Sequence, residues 1–158
     1  MTTDSAPRIL VTESDFSVGN EHQRLIENNP QQGAVVCFTG LVREMAGDVS
    51  LTALHLEHYP GMTERCLLDI AQTAQQRFGL DRTTIIHRVG TLALNAQIVF
   101  VGVTSAHRQA AFDGANFIMD YLKTQAPFWK KEIHTQGHSW VDAKETDNLA
   151  ARRWNQSE

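Results

Sequence analysis

The spacing of hydrophobic and polar residues along this chain predicts both strands and helices. Five short segments combine apolar and β-branched residues, which is typical of strands. They are residues 9–11, 33–38, 51–59, 83–89 and 98–103. We expect the last two to pair antiparallel, and we expect a further hairpin in which residues 131–135 and 139–142 flank Gln136-Gly137.

Apolar residues at helical spacing predict helices between these strands. One helix is expected to be capped near Ser17 and to end by residues 28–30. A second covers residues 63–78, with Gly79 placed as its C-terminal cap. The polar closing residues are expected to form a loosely held helix. Because strands and helices do not alternate strictly, the α+β class is favoured over a doubly wound sheet.

The longest predicted helix follows the strongest predicted strand. The strand at residues 98–103 is interrupted only by Gly102, which indicates a close approach to its backbone. Thr104 or Ser105 can act as the N-cap of the helix. Pro127 ends it, because the residue before a proline is disfavoured in helical geometry. The apolar residues that should face the core along this helix are Ala111, Ala115, Ile118 and Leu122.

The length of 158 residues fits a single domain with its own core. We expect residues 9–154 to form this domain, with a disordered N-terminal tail at residues 1–8 and a C-terminal tail at residues 155–158. Within the domain, residues 44–50 read as a mobile loop with a turn at Gly47-Asp48, and residues 90–97 read as a connection.

The overall charge and the cysteine and histidine spacings exclude several classes of function. A formal net charge of −4 gives no reason to expect general affinity for nucleic acid or for an anionic membrane. Since no segment has membrane-spanning length or a signal-peptide pattern, we expect a soluble cytoplasmic protein. Cys37 and Cys66 are expected to be buried free thiols. No metal is expected, because His55, His58 and His87 lack the spacing of metal ligands.

A local cationic cluster runs against this negative charge. His107 and Arg108 fall in the predicted first turn of the long helix, where backbone N–H groups and the helix dipole favour an anion. Arg43 follows a predicted buried strand, in a position that often carries function. The pattern favours a phosphate or carboxylate site. A surface pair at residues 107–108 and an ordinary solvated Arg43 stay open as alternatives.

A second group of cations lies at the other end of the long helix. Lys123 falls in its last turn, and Lys130 and Lys131 follow the proline. Partial desolvation of Lys123, with Lys130 nearby, would make its amine usable as a base or nucleophile. The structural alternative is a lysine whose stem only covers apolar surface. Because His107 and Lys123 are about 24 Å apart along a helix, one small ligand cannot contact both in one chain. Either there are two sites, or a symmetric homodimer forms composite sites.

Several long motifs give the chain a family resemblance. They are FTGLVR (38–43), LEHYPGMTE (56–64), IHRVG (86–90), FVGVTSAHR (100–108) and MDYLKTQAPFWKKE (119–132). In these motifs the chain resembles the molybdopterin synthase catalytic (large) subunit family. The resemblance implies an α/β-hammerhead fold of the α+β class, with a mixed or antiparallel sheet and a long central helix. It also implies a homodimer at the centre of a heterotetramer with two small ubiquitin-like sulfur-carrier subunits.

The resemblance also implies an activity. Members of this family convert cyclic pyranopterin monophosphate (precursor Z) to molybdopterin, a step of molybdenum cofactor biosynthesis. A thiocarboxylate on the C-terminal Gly-Gly tail of the carrier donates the sulfur of the dithiolene, so no cofactor bound to this chain is implied.

The same resemblance implies which residues act. It places the catalytic groups at Lys123 and Lys130. Its substrate contacts fall on Leu41, Val42, Arg43, His107, Arg108, Lys123, Lys130, Lys131 and Glu132. Family members often have an arginine in a WVEAR-like segment where this chain has Lys144, which keeps the charge but loses the bidentate fork, so a phosphate role there stays open.

Two other functions stay open at this point. One is a non-catalytic dimeric module that docks a ubiquitin-like carrier protein. The other is a phosphate-ester hydrolase that uses the His107 and Arg108 site, although the sequence offers it neither a set of metal ligands nor an evident nucleophile.

Overall fold

The computed structural model of the chain describes residues 5–141 and 145–156. In chain order, the elements are β1 (Arg8–Thr12), α1 (Val18–Ile26), β2 (Ala34–Leu41), β3 (Met45–Ala46), β4 (Val49–His58), α2 (Met62–Phe78), β5 (Leu80–Arg88), β6 (Gly90–Ala93), β7 (Gln97–Ser105), α3 (Arg108–Gln125), β8 (Phe128–His134), β9 (Gly137–Val141), α4 (Glu145–Arg152) and a short 3-10 helix (Arg153–Gln156). The predicted α+β class is confirmed.

The strands form two sheets. The four-stranded central sheet has the order β1-β5-β7-β2, in which β1 is parallel to β5 and the other neighbours are antiparallel. The five-stranded second sheet has the order β3-β4-β8-β9, and β6 also pairs with β4. The predicted antiparallel pair is therefore β5 and β7, and the predicted C-terminal hairpin is β8 and β9.

Helices cover both faces of the central sheet. The main core lies between this sheet and the helices α2 and α3. On the opposite face, Leu25 of α1 packs against Ile86 and Phe100. Strands covered on both faces are buried along their length rather than alternating. Strand β7 accordingly has a nearly continuous apolar run, whereas β5 buries Thr83, Thr84 and His87 together with Ile85 and Ile86.

The predicted apolar faces of the two long helices are confirmed. On α2, the residues Leu67, Ile70, Ala71 and Ala74 are buried, and Gly79 caps the helix in the left-handed conformation (φ 68°, ψ 43°). On α3, all four predicted core residues are buried. The close approach predicted at Gly102 is also found, because a β-carbon there would lie 2.5 Å from Leu25 Cδ1. Gly102 thus makes room for α1, not for a ligand.

The predicted N-cap of α3 is wrong. Strand β7 continues to Ser105, and His107 is the N-cap residue, in extended geometry (φ −126°, ψ 142°). Thr104 Oγ1 accepts from Arg82 N at 2.9 Å, and Ser105 Oγ donates to Gly79 O and accepts from His107 N, each at 3.4 Å. Arg108 is therefore the first helical residue, and His107 precedes it.

Long-range pairing turns several predicted loops into strands. The segment predicted as a mobile loop, residues 44–50, contains the short hairpin of β3 and the start of β4, although its turn at Gly47-Asp48 is as predicted. The predicted connection at residues 90–97 contains β6. Strand β8 begins at Phe128, so Lys130 and Lys131 lie within a strand that pairs with β4.

The N-terminal and cysteine predictions also need correction. β1 begins at Arg8, inside the predicted tail, and the Arg8 guanidinium makes two hydrogen bonds to the buried Glu21 carboxylate, at 3.0 and 3.1 Å. Cys37 is exposed on the edge strand β2 and Cys66 is half-buried, so neither thiol is fully buried, although both are free. Within the described residues, no helix combines the length and the hydrophobicity needed to cross a bilayer.

Candidate functional site

The start of α3 carries two exposed cationic side chains, His107 and Arg108, which we call the anion end. The His107 side chain makes no capping hydrogen bond to the helix, and the first backbone bond of the helix runs from Ala111 N to His107 O at 3.2 Å. The N–H groups of the first turn therefore point outward beside an imidazole and a guanidinium. Such a helix start favours a bound anion.

Gly33 shapes the backbone just before the anion end. Gly33 N donates to Ser105 O at 3.0 Å, and a β-carbon at Gly33 would lie 2.6 Å from Ala106 O. Any larger residue would push on this backbone carbonyl, which belongs to the residue before His107. The position of the imidazole thus depends on a glycine in the neighbouring strand segment.

The end of β2 carries Arg43 on a firmly held backbone. Val42 N donates to Ala96 O at 2.9 Å, and Val42 O accepts from Asn95 N at 2.7 Å. The Val42 side chain is buried in the single chain, and the contact with substrate that the family resemblance implied for this residue stays a prediction. Val42 anchors the strand end, and the residues on either side of it, Leu41 and Arg43, are exposed.

The C-terminal end of α3 and the start of β8 carry the two predicted catalytic lysines, and we call Lys123 and Lys130 the lysine end. Lys123 lies in the last turn of α3, and Lys130 is the third residue of β8. Both are exposed in the single chain. The partial desolvation that the sequence suggested for Lys123 is therefore not found in one chain by itself.

The residues that follow Lys130 are held more tightly. Lys131 is half-buried, and its Nζ lies 5.1 Å from the centre of the Trp140 ring on the paired strand β9. Glu132 is half-buried between its β4 partner Leu54 and its β9 partner Ser139. A cation held over an aromatic ring is less available to an incoming anion. Among the three, Lys130 is the most accessible.

Arg43 and the lysine end share one small core. Val42, Leu56 and Phe128 belong to the same apolar cluster between the two sheets. Leu56 is also the β4 partner of Lys130. The structure therefore brings the segment before Arg43 and the strand that carries Lys130 together, whereas the anion end lies at the far end of an unbroken helix. Lys144, the remaining predicted position, lies outside the described residues.

Two buried polar residues at the lysine end were not predicted to act there. Thr63 Oγ1 donates to Pro127 O at 3.1 Å, and the ring of His87 stacks on Phe128 with ring centres 3.8 Å apart. Burial lowers the pKa of His87 to about 4, with further lowering by the charge of Lys130. In the sequence, His87 appeared as a rejected metal ligand and as part of the motif IHRVG, without a role of its own. Its position directly after the apolar pair Ile85-Ile86 of a predicted strand was the available signal that it is buried.

Other features of the surface do not coincide with either end. An open groove of about 370 Å³, a volume within the range of small-molecule sites, lies between α2, α3 and the C-terminal 3-10 helix, lined among others by Arg77, Tyr121 and Asn155. It contains none of the predicted site residues.

Desolvation raises the pKa of the Cys37 thiol, which disfavours a thiolate nucleophile there. Within residues 5–141 and 145–156, no group of three or more His, Cys, Asp or Glu side chains is arranged to hold a metal ion.

Comparisons with known proteins give a consistent result. The family model described as MoaE protein matches residues 11–125. The molybdopterin synthase catalytic subunits of Escherichia coli (strain K12) and Vibrio cholerae serotype O1 are 54% and 52% identical to this chain over 147 residues, which is 93% of this chain and 97% of each relative. A solved structure, the molybdopterin biosynthesis MoaE protein from Burkholderia ambifaria MC40-6, superposes with a TM-score of 0.81 at 45% identity, covering 94% of this chain and 98% of that one. The chain therefore belongs to the MoaE protein family.

Proposed function

We propose that this chain is the catalytic subunit of a molybdopterin synthase. In this proposal it transfers sulfur from the thiocarboxylated C-terminus of a small ubiquitin-like carrier subunit to cyclic pyranopterin monophosphate, and two transfers build the dithiolene of molybdopterin. The observation that carries the proposal is the lysine end. Lys123 and Lys130 project from the two sides of one short turn, in a chain about half of whose residues are identical to named catalytic subunits.

The charges at the two ends of α3 suit the reactants. The substrate carries an anionic cyclic phosphate and the carrier tail ends in an anionic thiocarboxylate, so the site must accept two anions. The helix start with His107 and Arg108 offers backbone N–H groups, an imidazole and a guanidinium, which together suit a phosphate. Lys123 and Lys130 supply two ammonium groups for the tail and for negative charge that develops during the reaction.

The lysines also have a role in proton transfer. Each carrier sulfur forms a bond to a side-chain carbon of the pterin and displaces an oxygen leaving group, which needs a proton. Water then cleaves the bond between that sulfur and the carrier's carbonyl carbon, and the carrier leaves with a C-terminal carboxylate. An ammonium group within hydrogen-bonding distance can donate the proton that the leaving oxygen needs, and the resulting amine can take one back from solvent. We assign Lys123 as the principal catalytic group and Lys130 as its assistant. The sulfur arrives on the carrier, so the mechanism uses neither cysteine and no cofactor held by this chain.

Because α3 separates the two ends by about 24 Å, the proposed site needs a second copy of the chain. In a symmetric homodimer, the anion end of one protomer would face the lysine end of its partner, making two equivalent composite sites. A carrier subunit at each site would complete a heterotetramer. We also propose a cytoplasmic location, in keeping with the two free thiols of Cys37 and Cys66.

Removal of the Lys123 amine tests the chemistry. Purified protein is mixed with thiocarboxylated carrier and precursor Z, and dithiolene formation is followed in a single turnover. We expect Lys123→Ala to slow it by about a hundredfold or more, the scale of losing a general acid–base group. The matched control is Arg24→Ala, which removes an exposed cation from the last turn of another helix, α1. A Lys123→Ala protein that works at the wild-type rate would remove Lys123 from the mechanism.

Mixed dimers test the composite site. A Lys123→Ala chain and a His107→Ala chain, carrying different affinity tags, are co-expressed and the heterodimer is isolated. If sites are built across the protomers, one of the two sites regains both groups and half of the wild-type activity returns. If each site lies within one chain, both sites stay defective and the heterodimer is as inactive as its parents.

The exposure of both lysines favours one competing function, a dimeric module that docks the carrier tail without chemistry. Normal carrier affinity together with no dithiolene in the wild-type protein would support this module. The phosphate-ester hydrolase is not supported by any arrangement in the described residues, and release of inorganic phosphate from the substrate would be the result that revives it.

A further inference from the structure

The segment that joins the two lysines turns sharply. Helix α3 ends at Gln125, and Ala126 is its C-cap in extended geometry (φ −75°, ψ 133°). Phe128 N donates to Ala126 O at 2.9 Å, which closes a three-residue turn around Pro127. Since side chains alternate along a strand, Phe128 and Lys130 project to the same face of β8. Contacts that hold the Phe128 ring therefore also fix the backbone from which the Lys130 side chain projects.

Thr63 anchors the turn from α2. Its side chain is fully buried, and Oγ1 both donates to Pro127 O at 3.1 Å and accepts from Tyr59 N at 2.9 Å. A hydroxyl can do both at once. One side chain thus ties together the helix α2, the residue after β4 and the turn between the lysines.

His87 anchors the next residue from the central sheet. Its ring lies over the Phe128 ring, with centres 3.8 Å apart and planes 20° apart, and the residue is only 5% exposed. The Nδ1 atom lies 2.8 Å from Arg88 O. Because a carbonyl oxygen only accepts, Nδ1 carries a proton and donates it. This bond fixes the ring against rotation while its face supports Phe128.

The charge state of His87 suits this position. Burial lowers its pKa to about 4, and although the bond to Arg88 O acts in the opposite direction, the positive charges of Lys130 and His58 lower it further. At neutral pH the ring is therefore uncharged, so it packs on Phe128 without the cost of burying a charge and without repelling the Lys130 ammonium.

We propose that His87 is a positioning residue for Lys130. Its ring, stacked on Phe128, fixes the first residues of β8 relative to the central sheet, and this fixes the placement of the Lys130 amine relative to Lys123. This inference rests on the proposed function, because it concerns the geometry of the lysine pair assigned there. His87 itself does not touch the reactants in this proposal. Thr63 serves as the second anchor of the same segment.

Two substitutions separate the parts of the His87 side chain. His87→Phe keeps a ring to stack on Phe128 but loses the donor to Arg88 O. His87→Asn keeps an N–H donor near the position of Nδ1 but loses the ring. The matched control is Ile86→Val, a change at the residue that precedes His87 in β5. Ile86 is fully buried on the opposite face of the central sheet. All proteins are first checked to be fully folded at the assay temperature.

The first measurement is single-turnover dithiolene formation at saturating carrier and precursor Z. Displacement of a catalytic group by about 1 Å can cost about a hundredfold in rate, so we expect His87→Asn to lose about ten- to a hundredfold in the rate constant. When precursor Z is varied at saturating carrier, we expect its KM to change less than about twofold, since the anion end is untouched. His87→Phe should recover most of the rate, and Ile86→Val should behave as wild type.

The second measurement does not require turnover. The lysines are dimethylated with ¹³C-formaldehyde, and the Lys130 methyl resonance is assigned with a Lys130→Arg variant. We expect this resonance to move in His87→Asn and to return towards its wild-type position in His87→Phe, while the Lys123 resonance moves little. Ile86→Val should leave both unchanged.

The outcomes separate the two proposals. A His87→Asn protein with a wild-type rate and an unmoved Lys130 resonance overturns the positioning role. A His87→Phe protein as slow as His87→Asn also overturns it, because stacking would then not be what matters. If wild-type protein forms no dithiolene, the proposed function fails, and the Lys130 resonance alone still decides whether His87 positions that residue.

Discussion

Protonation of His87 should determine part of how this protein loses stability in acid. The imidazole is buried between Phe128 and the central sheet, and burial is the main reason that its pKa falls from an ordinary value of 6.5 to about 4. The other charged groups that act on it are Lys130 on β8 and His58 at the end of β4, and both lower the pKa further. In the unfolded chain these constraints disappear, and the histidine regains its ordinary pKa.

The sign follows from where the proton binds first. As pH falls through 6.5, His87 of the unfolded chain takes up a proton while the folded protein resists protonation, so the unfolded state gains stability. The contribution of His87 is therefore fully present above pH 6.5, falls between pH 6.5 and about 4, and falls no further below that. With about 1.4 kcal/mol for each pKa unit, the loss across this window is about 3 kcal/mol.

The assay is urea unfolding at fixed protein concentration, at half-unit steps from pH 7.5 to pH 4. The free energy of unfolding of wild type is compared with that of His87→Phe, which keeps the stacked ring but cannot be protonated. Acid effects from all other groups are common to both proteins and cancel in the difference. We expect the difference to change by about 3 kcal/mol in favour of His87→Phe as the pH falls.

Ile86→Val, with its histidine intact, should retain the wild-type pH dependence. If wild type and His87→Phe fall in parallel over the whole range, His87 is not protonated on unfolding and the argument is refuted.

Three further substitutions test how the structure positions its elements. Gly33→Ala would place a β-carbon 2.6 Å from the backbone oxygen of Ala106, so we expect a loss of about 1–3 kcal/mol in urea unfolding and a raised KM for precursor Z. Gly102→Ala would collide with Leu25 at 2.5 Å and should cost about 1–3 kcal/mol in the same assay. Arg82→Ala removes hydrogen bonds of 2.9, 3.3 and 2.6 Å from one guanidinium nitrogen to three carbonyl oxygens at the end of α1, and it should destabilise by about 1.5–3 kcal/mol. An unchanged unfolding midpoint for any of the three would contradict the corresponding contact.

Local patterns in the sequence were sufficient to predict the elements whose burial is visible in the spacing of their own residues. Helix α3 and its core-facing residues were predicted because a stripe of apolar side chains identifies the buried face of a helix, whichever element it packs against. The C-terminal cap of α2 at Gly79 was predicted because a left-handed residue at a helix end is usually glycine. Strand β7 was predicted because burial on both faces leaves a nearly continuous apolar run, and β5 because its central residues are β-branched.

Elements that depend on a distant partner were not predictable in this way. Strand β6 is only four residues long and exists because β4 lies beside it. The N-cap of α3 was misplaced because strand β7 continues through Thr104 and Ser105, which pair with Val35 and Ala34 of β2, far away in the sequence. His87 was passed over for the same reason: its role depends on a ring that follows it by 41 positions.

The exposure of the lysines has a consequence for where the chemistry can occur. At physiological ionic strength, charges in solvent are screened over about 8 Å, and an ammonium group in water attracts a carboxylate at contact by only about 1 kcal/mol. Lys123 and Lys130 in the single chain would therefore neither select the carrier tail nor favour proton transfer strongly. In the proposed homodimer, a partner protomer and the inserted tail would exclude water around these two groups, and the same charges would then interact in a medium of lower dielectric. On this proposal, the fold of one chain supplies the placement of the lysines, through Thr63, His87 and the turn at Pro127, and assembly supplies the desolvation. A variant that stays folded but monomeric should accordingly keep the Lys130 resonance and lose dithiolene formation.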